Sequence, residues 1–271
     1  MEPSFDWTIF QYRELMPVNL ASIFDFSVKN STSKNTIPCR FYIPKNHKKN
    51  TVILFVHGGG WCMGNLESHN AFCTHLASVT KTKVCALAYR LSPQFPFPHA
   101  LQDVQNVYLY LNKYYSKIIL SGDSSGGNLC LALTQILNRK FSTLLFYPVL
   151  DDDFTTPSYK IYGTEAELNI PMMHYFWNNY APPTINRNQS TLCPQKSFNL
   201  NKLSKSIIIS AEKDILFSEA ETFSKKLTKD SIPVKHIIIK NAKHGFMTYG
   251  QGHLLYALRA LKLIHKIKAL L

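Results

Sequence analysis

Short apolar runs and longer amphipathic stretches alternate through most of the chain. Residues 51–56, 83–89, 118–120, 143–147, 206–210 and 234–239 are rich in Val, Ile, Leu, Phe and Tyr, with little polar alternation. Such runs predict strands buried on both faces, as in a parallel sheet. Between them, 70–79, 101–115, 128–133, 218–227 and 254–270 read as helices; Val104, Val107, Tyr108 and Leu111 show the spacing. Two further strands are predicted at 24–28 and 39–43, on either side of a polar turn at 29–36. Alternating β and α units predict an α/β fold: a mostly parallel sheet with helices on both faces.

The pattern loosens between 151 and 201, a stretch rich in Tyr, Asn, Thr and Pro with one helix predicted around 172–180. It reads as an inserted cap rather than a separate domain. Residues 1–22 form a short amphipathic arm offering Trp7, Ile9, Phe10 and Leu15 for burial. The expectation is one domain over 1–271, with a small cap contributed by 1–22 and about 152–201. No internal repeat is visible.

Charge and cysteine usage narrow the function classes. Lys and Arg outnumber Asp and Glu by 30 to 17, a formal charge of +13, but only six of the cations are arginine and they are scattered. Arginine is the better fork for phosphates and base edges, so this reads as a solvated lysine surface and no nucleic-acid partner is expected. No run approaches the ~18 apolar residues of a membrane span, so stable membrane insertion is not expected. The first residues lack the basic and apolar regions of a secretory leader. The six cysteines form no CxxC pair, and Cys85 and Cys130 sit inside apolar runs. They read as reduced core residues, and the expected location is the cytoplasm. With no metal-ligand spacing and no phosphate loop, no cofactor and no metal are expected. Monomer and homodimer are both left open.

Two glycine motifs carry the chemistry. Gly122-Asp123-Ser124-Ser125-Gly126 lies between the run 118–121 and the helical stretch from Asn128. A Gly-x-Ser-x-Gly between strand and helix is a nucleophile elbow, a crowded turn that lifts one serine hydroxyl above the end of a sheet. Upstream, the strand 51–56 ends in His57-Gly58-Gly59-Gly60-Trp61. Consecutive glycines let backbone N–H groups turn toward one point, which acyl transfer requires for the charge that develops on the carbonyl oxygen. The expected donors are the N–H groups of Gly59, Gly60 and Ser125, with Ser124 as nucleophile.

The serine needs a base, and the base needs an acid to orient it. After an elbow of this kind, acid and histidine follow in chain order, each on a loop after a strand. His244, in Asn241-Ala242-Lys243-His244-Gly245-Phe246, meets that condition. His69, His75 and His99 precede the serine, and His57 belongs to the glycine loop, where it reads as support. For the acid, the strand 207–210 leads to Ala211-Glu212-Lys213-Asp214, and Asp214 is the choice. Glu212 is its nearest rival, and the run Asp151-Asp152-Asp153 is a variant location. Asp123 is too close to Ser124 to reach the histidine and reads as a brace for the elbow.

Six motifs in order carry a resemblance: His57-Gly58-Gly59-Gly60-Trp61, Tyr89-Arg90-Leu91-Ser92-Pro93 with Phe97-Pro98, Gly122-Asp123-Ser124-Ser125-Gly126-Gly127, Tyr147-Pro148-Val149-Leu150-Asp151, Asp214-Ile215-Leu216 and His244-Gly245-Phe246. Together they make the chain similar to the hormone-sensitive-lipase-like branch of the α/β-hydrolases, which includes bacterial carboxylesterases and arylacetamide deacetylases. The resemblance runs from about residue 24 to the C-terminus. It implies the α/β-hydrolase fold with about eight strands, a cap over the site, and a serine esterase acting on short- to medium-chain acyl esters as small-molecule substrates. An amide or formamide hydrolase and a non-catalytic ligand-binding protein are the alternatives on the same fold. Three departures stand out. Only about twenty residues precede the first strand, Phe217-Ser218-Glu219 replaces the acidic residues after the Asp-x-Leu motif, and Ser125 replaces the alanine common after the nucleophile. The last is expected to matter little, since only its N–H is needed. Trp61, Phe72, Met173, Phe176, Trp177 and Phe246 are candidates for the pocket wall or, equally, for ordinary core packing.

Overall fold

The structure, a computed structural model, describes residues 19–31, 34–164, 167–197, 200–248 and 254–267. Residues 1–18 of the N-terminal arm, with its four candidate apolar residues, lie outside the described residues, as do 268–270 of the last predicted helix. Among the described residues the sheet has eight strands: β1 (Leu20–Lys29), β2 (Thr36–Pro44), β3 (Thr51–Val56), β4 (Lys83–Leu87), β5 (Lys117–Asp123), β6 (Phe141–Phe146), β7 (Leu203–Lys213) and β8 (Val234–Lys243). Their spatial order is β1-β2-β4-β3-β5-β6-β7-β8. Pairing is parallel from β4 through β8, while β2 runs antiparallel to both β1 and β4.

The helices are α1 (Asn70–Thr80), α2 (His99–Leu111), α3 (Ser125–Ile136), α4 (Pro157–Tyr162), α5 (Ile170–Tyr180), α6 (Phe217–Lys229) and α7 (Leu254–Ile267). They divide between the two faces, as the alternation of β3 requires. Val52, Leu54 and Val56 belong to a core with Val104, Leu129 and Phe223 from α2, α3 and α6. Ile53 and Phe55 belong to the opposite core, with Leu76 from α1 and Leu261 from α7. All six β3 residues are buried, which is why the run shows no polar alternation.

The structure differs from expectation in places. Residues 20–22 belong to β1 rather than to a cap, because Leu20 and Ser22 pair with Pro44 and Ile43 at the end of β2, on either side of an irregularity at Ala21. The described residues of the stretch 151–201 hold two helices, α4 and α5, and a 3-10 turn at Pro194–Lys196, where one helix was expected. The six-residue α4 is too short to show a helical period. Predicted helix 101–115 begins at His99 and ends at Leu111.

The topology fixes where a site can form. Strand β3 pairs with β4 on one side and β5 on the other, so the chain reverses its direction of travel across the sheet there. A crevice opens beyond the carboxyl ends of strands at such a switch point. Val56, the last residue of β3, is in register with Gly122 on β5, so the glycine loop and the elbow leave the sheet side by side.

Candidate active site

Ser124 sits between β5 and α3 with φ 51° and ψ −121°, a conformation costly for a side-chain-bearing residue. Crowding holds the turn in place. A Cβ on Gly126 would lie 2.0 Å from the carbonyl oxygen of Val56, and one on Gly122 2.6 Å from the backbone of Gly126. Backbone bonds tie the elbow to the next strand: Ser124 N–H donates to Phe146 (2.9 Å) and its carbonyl accepts from Val149 N–H (3.1 Å).

The sequence-predicted base and acid meet this serine. His244 Nε2 is 3.1 Å from Ser124 Oγ, and its Nδ1 is 2.8 Å from Asp214 Oδ2. The other Asp214 oxygen accepts from Leu216 N–H at 2.9 Å, which fixes the carboxylate plane. All three side chains are buried: Ser124 is 8% exposed, His244 5% and Asp214 2%. Tyr147 and the imidazole pack in a T-shaped contact, with ring centroids 4.8 Å apart. Burial of the pair keeps water from competing for the Asp214–His244 bond.

The rivals lie elsewhere. Glu212 pairs with Lys240 (2.6 Å) and accepts from Asn241 N–H. Lys196 bridges Asp151 (3.2 Å) and Asp152 (2.6 Å), and Asp153 accepts from Thr155. Asp151, Asp152 and Cys193 lie close enough to suggest a metal cage, but the Lys196 ammonium already occupies the charge-neutralising position.

The glycine loop turns through three consecutive positive φ values: Gly59 at 115°, Gly60 at 58° and Trp61 at 59°. Glycine adopts such angles freely and Trp does not. Trp61 is held there by packing, its ring stacked on Tyr180 at 4.5 Å and tilted against Trp177 at 4.8 Å. The Gly59 carbonyl accepts from the N–H groups of Cys62 and Met63. The N–H groups of Gly59, Gly60 and Ser125 find no acceptor among the described residues. They are the three expected donors.

Asp123 braces the glycine loop rather than the elbow itself, because its Oδ1 accepts from Gly58 N–H at 2.8 Å. His69 Nε2 lies 3.2 Å from the same carboxylate. Burial works against the charge on Asp123, but His69 and the Gly58 N–H outweigh it and lower the carboxyl below its ordinary range. His57 stacks on Tyr89 at 4.1 Å, and burial, aided by His69, pulls its pKa down to about 3. It is a neutral prop, with Nδ1 2.8 Å from the Gly58 carbonyl.

A cavity of about 590 Å³, mouth included, opens over Ser124 and His244, walled by Trp61, Val149, Leu168, Met172, Met173 and Phe176. Phe176 presses on the loop; a Cβ on Gly60 would lie 2.2 Å from its ring. Of the six wall candidates, Trp61, Met173 and Phe176 line the cavity. Phe72 and Phe246 pack in the core on the α1 and α7 face, and Trp177 in the opposite core. Sequence reasoning set His69 aside because it precedes the serine, yet it lines the cavity beside Asp123. It also missed Leu168 and Met172, whose stretch carries no motif.

Comparison with known proteins follows the same lines. A family model described as alpha/beta hydrolase fold matches residues 53–248. Vegetative-specific protein H5 of Dictyostelium discoideum is 25% identical over 263 residues, covering 88% of this chain and 77% of the relative. Ethyl acetate hydrolase of Pseudomonas putida is 27% identical over 232 residues, covering 80% and 73%. The structure of a hyperthermophilic esterase from Pyrobaculum calidifontis superposes with a TM-score of 0.83 at 23% identity, over 93% of this chain and 86% of that one, a likeness of fold. The chain belongs to the α/β-hydrolase family, in its hormone-sensitive-lipase-like branch.

Proposed function

We propose that the protein is a serine carboxylesterase for short- to medium-chain acyl esters, with Ser124, His244 and Asp214 as its catalytic residues. The observation that carries this is the unbroken hydrogen-bonded chain Ser124–His244–Asp214 beside three N–H groups without an acceptor among the described residues, with Gly59, Gly60, Ser124 and His244 lining a largely apolar cavity. His244 takes the proton of Ser124 as its oxygen attacks the ester carbonyl. Negative charge on the former carbonyl oxygen is met by the N–H groups of Gly59, Gly60 and Ser125, each worth ~10²–10³ in rate. His244 then protonates the leaving alcohol, and water repeats the cycle on the acyl-enzyme. Asp214 holds the imidazole tautomer and stabilises the imidazolium. No step calls for a cofactor.

Residues 152–201 act as the cap, with α5 supplying Met172, Met173 and Phe176 to the wall. The substrate is a small ester with little charge of its own, since the cavity wall is mostly apolar: Trp61, Val149, Leu168, Met172, Met173 and Phe176. A non-catalytic ligand-binding protein has no need of three reactive groups bonded in series through His244, and that alternative loses ground here. The relatives named as ester hydrolases support an ester over an amide.

A fluorophosphonate probe tests the reading. It should label the wild type at one site and leave Ser124→Ala unlabelled. The wild type should turn over p-nitrophenyl acetate faster than an N-formyl aniline. Absence of labelling in a folded wild type sinks the esterase reading, and faster turnover of the anilide replaces it with an amidase.

A further inference from the structure

The glycine loop is pinned at both ends by the two residues that flank the nucleophile. On one side, the Asp123 carboxylate accepts from Gly58 N–H (2.8 Å). On the other, the Ser125 hydroxyl accepts from Trp61 N–H (3.2 Å), a fully buried contact across 64 residues of sequence. Just before the first pin, the Tyr89 O–H donates to the His57 carbonyl at 2.9 Å. Between the two pins lie the only two N–H groups of the 58–61 run that are left without an acceptor among the described residues, those of Gly59 and Gly60. The run is strained, with Trp61 held at φ 59°. A buried N–H that loses its acceptor drives local rearrangement, because leaving it unsatisfied costs about 1–3 kcal/mol.

We infer that the Ser125 side chain is a positioning residue for the oxyanion hole: by capturing Trp61 N–H it sets the path of the loop, so that Gly59 and Gly60 face the oxygen of the reacting carbonyl. Its backbone N–H and its hydroxyl thus do separate things, the first as a donor to the oxyanion and the second as the outer pin of the loop. The inference rests on the esterase reading for its kinetic consequence but not for its structural one. Ser125 sits at the first turn of α3, next to Ser124, so the loop is registered to the nucleophile through a single residue step. Small misplacements matter here, because donors act on a developing charge only within hydrogen-bond reach of it.

The test compares wild type, Ser125→Ala and the near-isosteric Ser125→Cys, whose thiol is a poor acceptor. Amide hydrogen exchange read by ¹⁵N NMR should speed up at Trp61 by about tenfold or more in Ser125→Ala, with α3 amides beyond its first turn unchanged. With p-nitrophenyl acetate, kcat should fall about 10-fold while KM stays within 2-fold. Inhibition by phenylboronic acid, whose tetrahedral adduct fills the hole, should weaken by a similar factor. Ser125→Cys should fall between the two, and it carries the test if the alanine variant does not fold. Unchanged exchange at Trp61 overturns the inference whether or not the protein hydrolyses esters. In an active enzyme, unchanged kcat and boronate affinity, or a loss confined to KM, also overturn it. A wild type that exchanges as described but turns over no ester removes the esterase reading alone.

Discussion

Asp214 reaches the site by two short bonds, one to His244 Nδ1 (2.8 Å) and one from Leu216 N–H (2.9 Å). An amide at this position keeps the shape, but it donates to the imidazole where the carboxylate accepts, so it favours the wrong tautomer. Asp214→Asn should therefore lower kcat by ~10³–10⁴ with KM within a few-fold. Steady-state hydrolysis of p-nitrophenyl acetate measures it, and a loss below about 10-fold would return the acid's part to another carboxylate. At this scale most of the candidate site was legible in the sequence. Ser124, His244 and Asp214 each follow a strand in a recognisable local motif. Ser125 Oγ, His69 and Asp123 were not legible in their actual partnerships, since each bonds a group 54 or more residues away. A polar side chain that meets its partner only through the fold leaves no period in the chain.

Among the elements, α6 carries a feature its amphipathic pattern conceals. Glu219, in the first turn of the helix, is fully buried and accepts from the N–H groups of Leu150 (2.7 Å) and Asp151 (3.0 Å), tying α6 to the loop after β6. Burial pushes its carboxyl well above the usual range, more than the two N–H groups lower it. The folded state therefore keeps a proton that the unfolded chain has released. Stability then falls as pH rises above the unfolded carboxyl's ~4.3 toward the raised folded value, by up to about 1.4 kcal/mol per pH unit. Glu219→Gln keeps an acceptor for both N–H groups and removes the titration. It should be at least as stable as wild type at pH 8 and show a flatter profile between pH 5 and 8 in urea unfolding. Parallel profiles would mean that Glu219 ionises in the folded state. The sequence announced the strands of the parallel sheet because burial on both faces strips them of polar residues. It announced α4 poorly, since its six residues span less than two turns.

For the molecule as a whole, the cavity is a joint product of the sheet's switch point and the stretch 151–201. Phe176 of α5 lies against Gly60, so it both supports the loop and limits the wall. Phe176→Leu should raise kcat/KM for p-nitrophenyl octanoate relative to the acetate by about 10-fold, the scale of one or two methylenes in an apolar pocket. An unchanged ratio across an ester series would place the acyl chain on another wall. The fold class followed from alternating elements, whereas the cavity's shape did not, because it depends on how an aperiodic segment lies over strand ends. Among the described residues no helix is long and apolar enough to cross a membrane. The chain separation inside the site has one more consequence. Ser124 and His244 are 120 residues apart and leave the sheet from β5 and β8, with β6 and β7 between them. A partly assembled sheet can present the hydroxyl but cannot bring the imidazole to it. Probe reactivity at Ser124 is thus a chemical signal of completed folding, one that appears only when the last strand has docked.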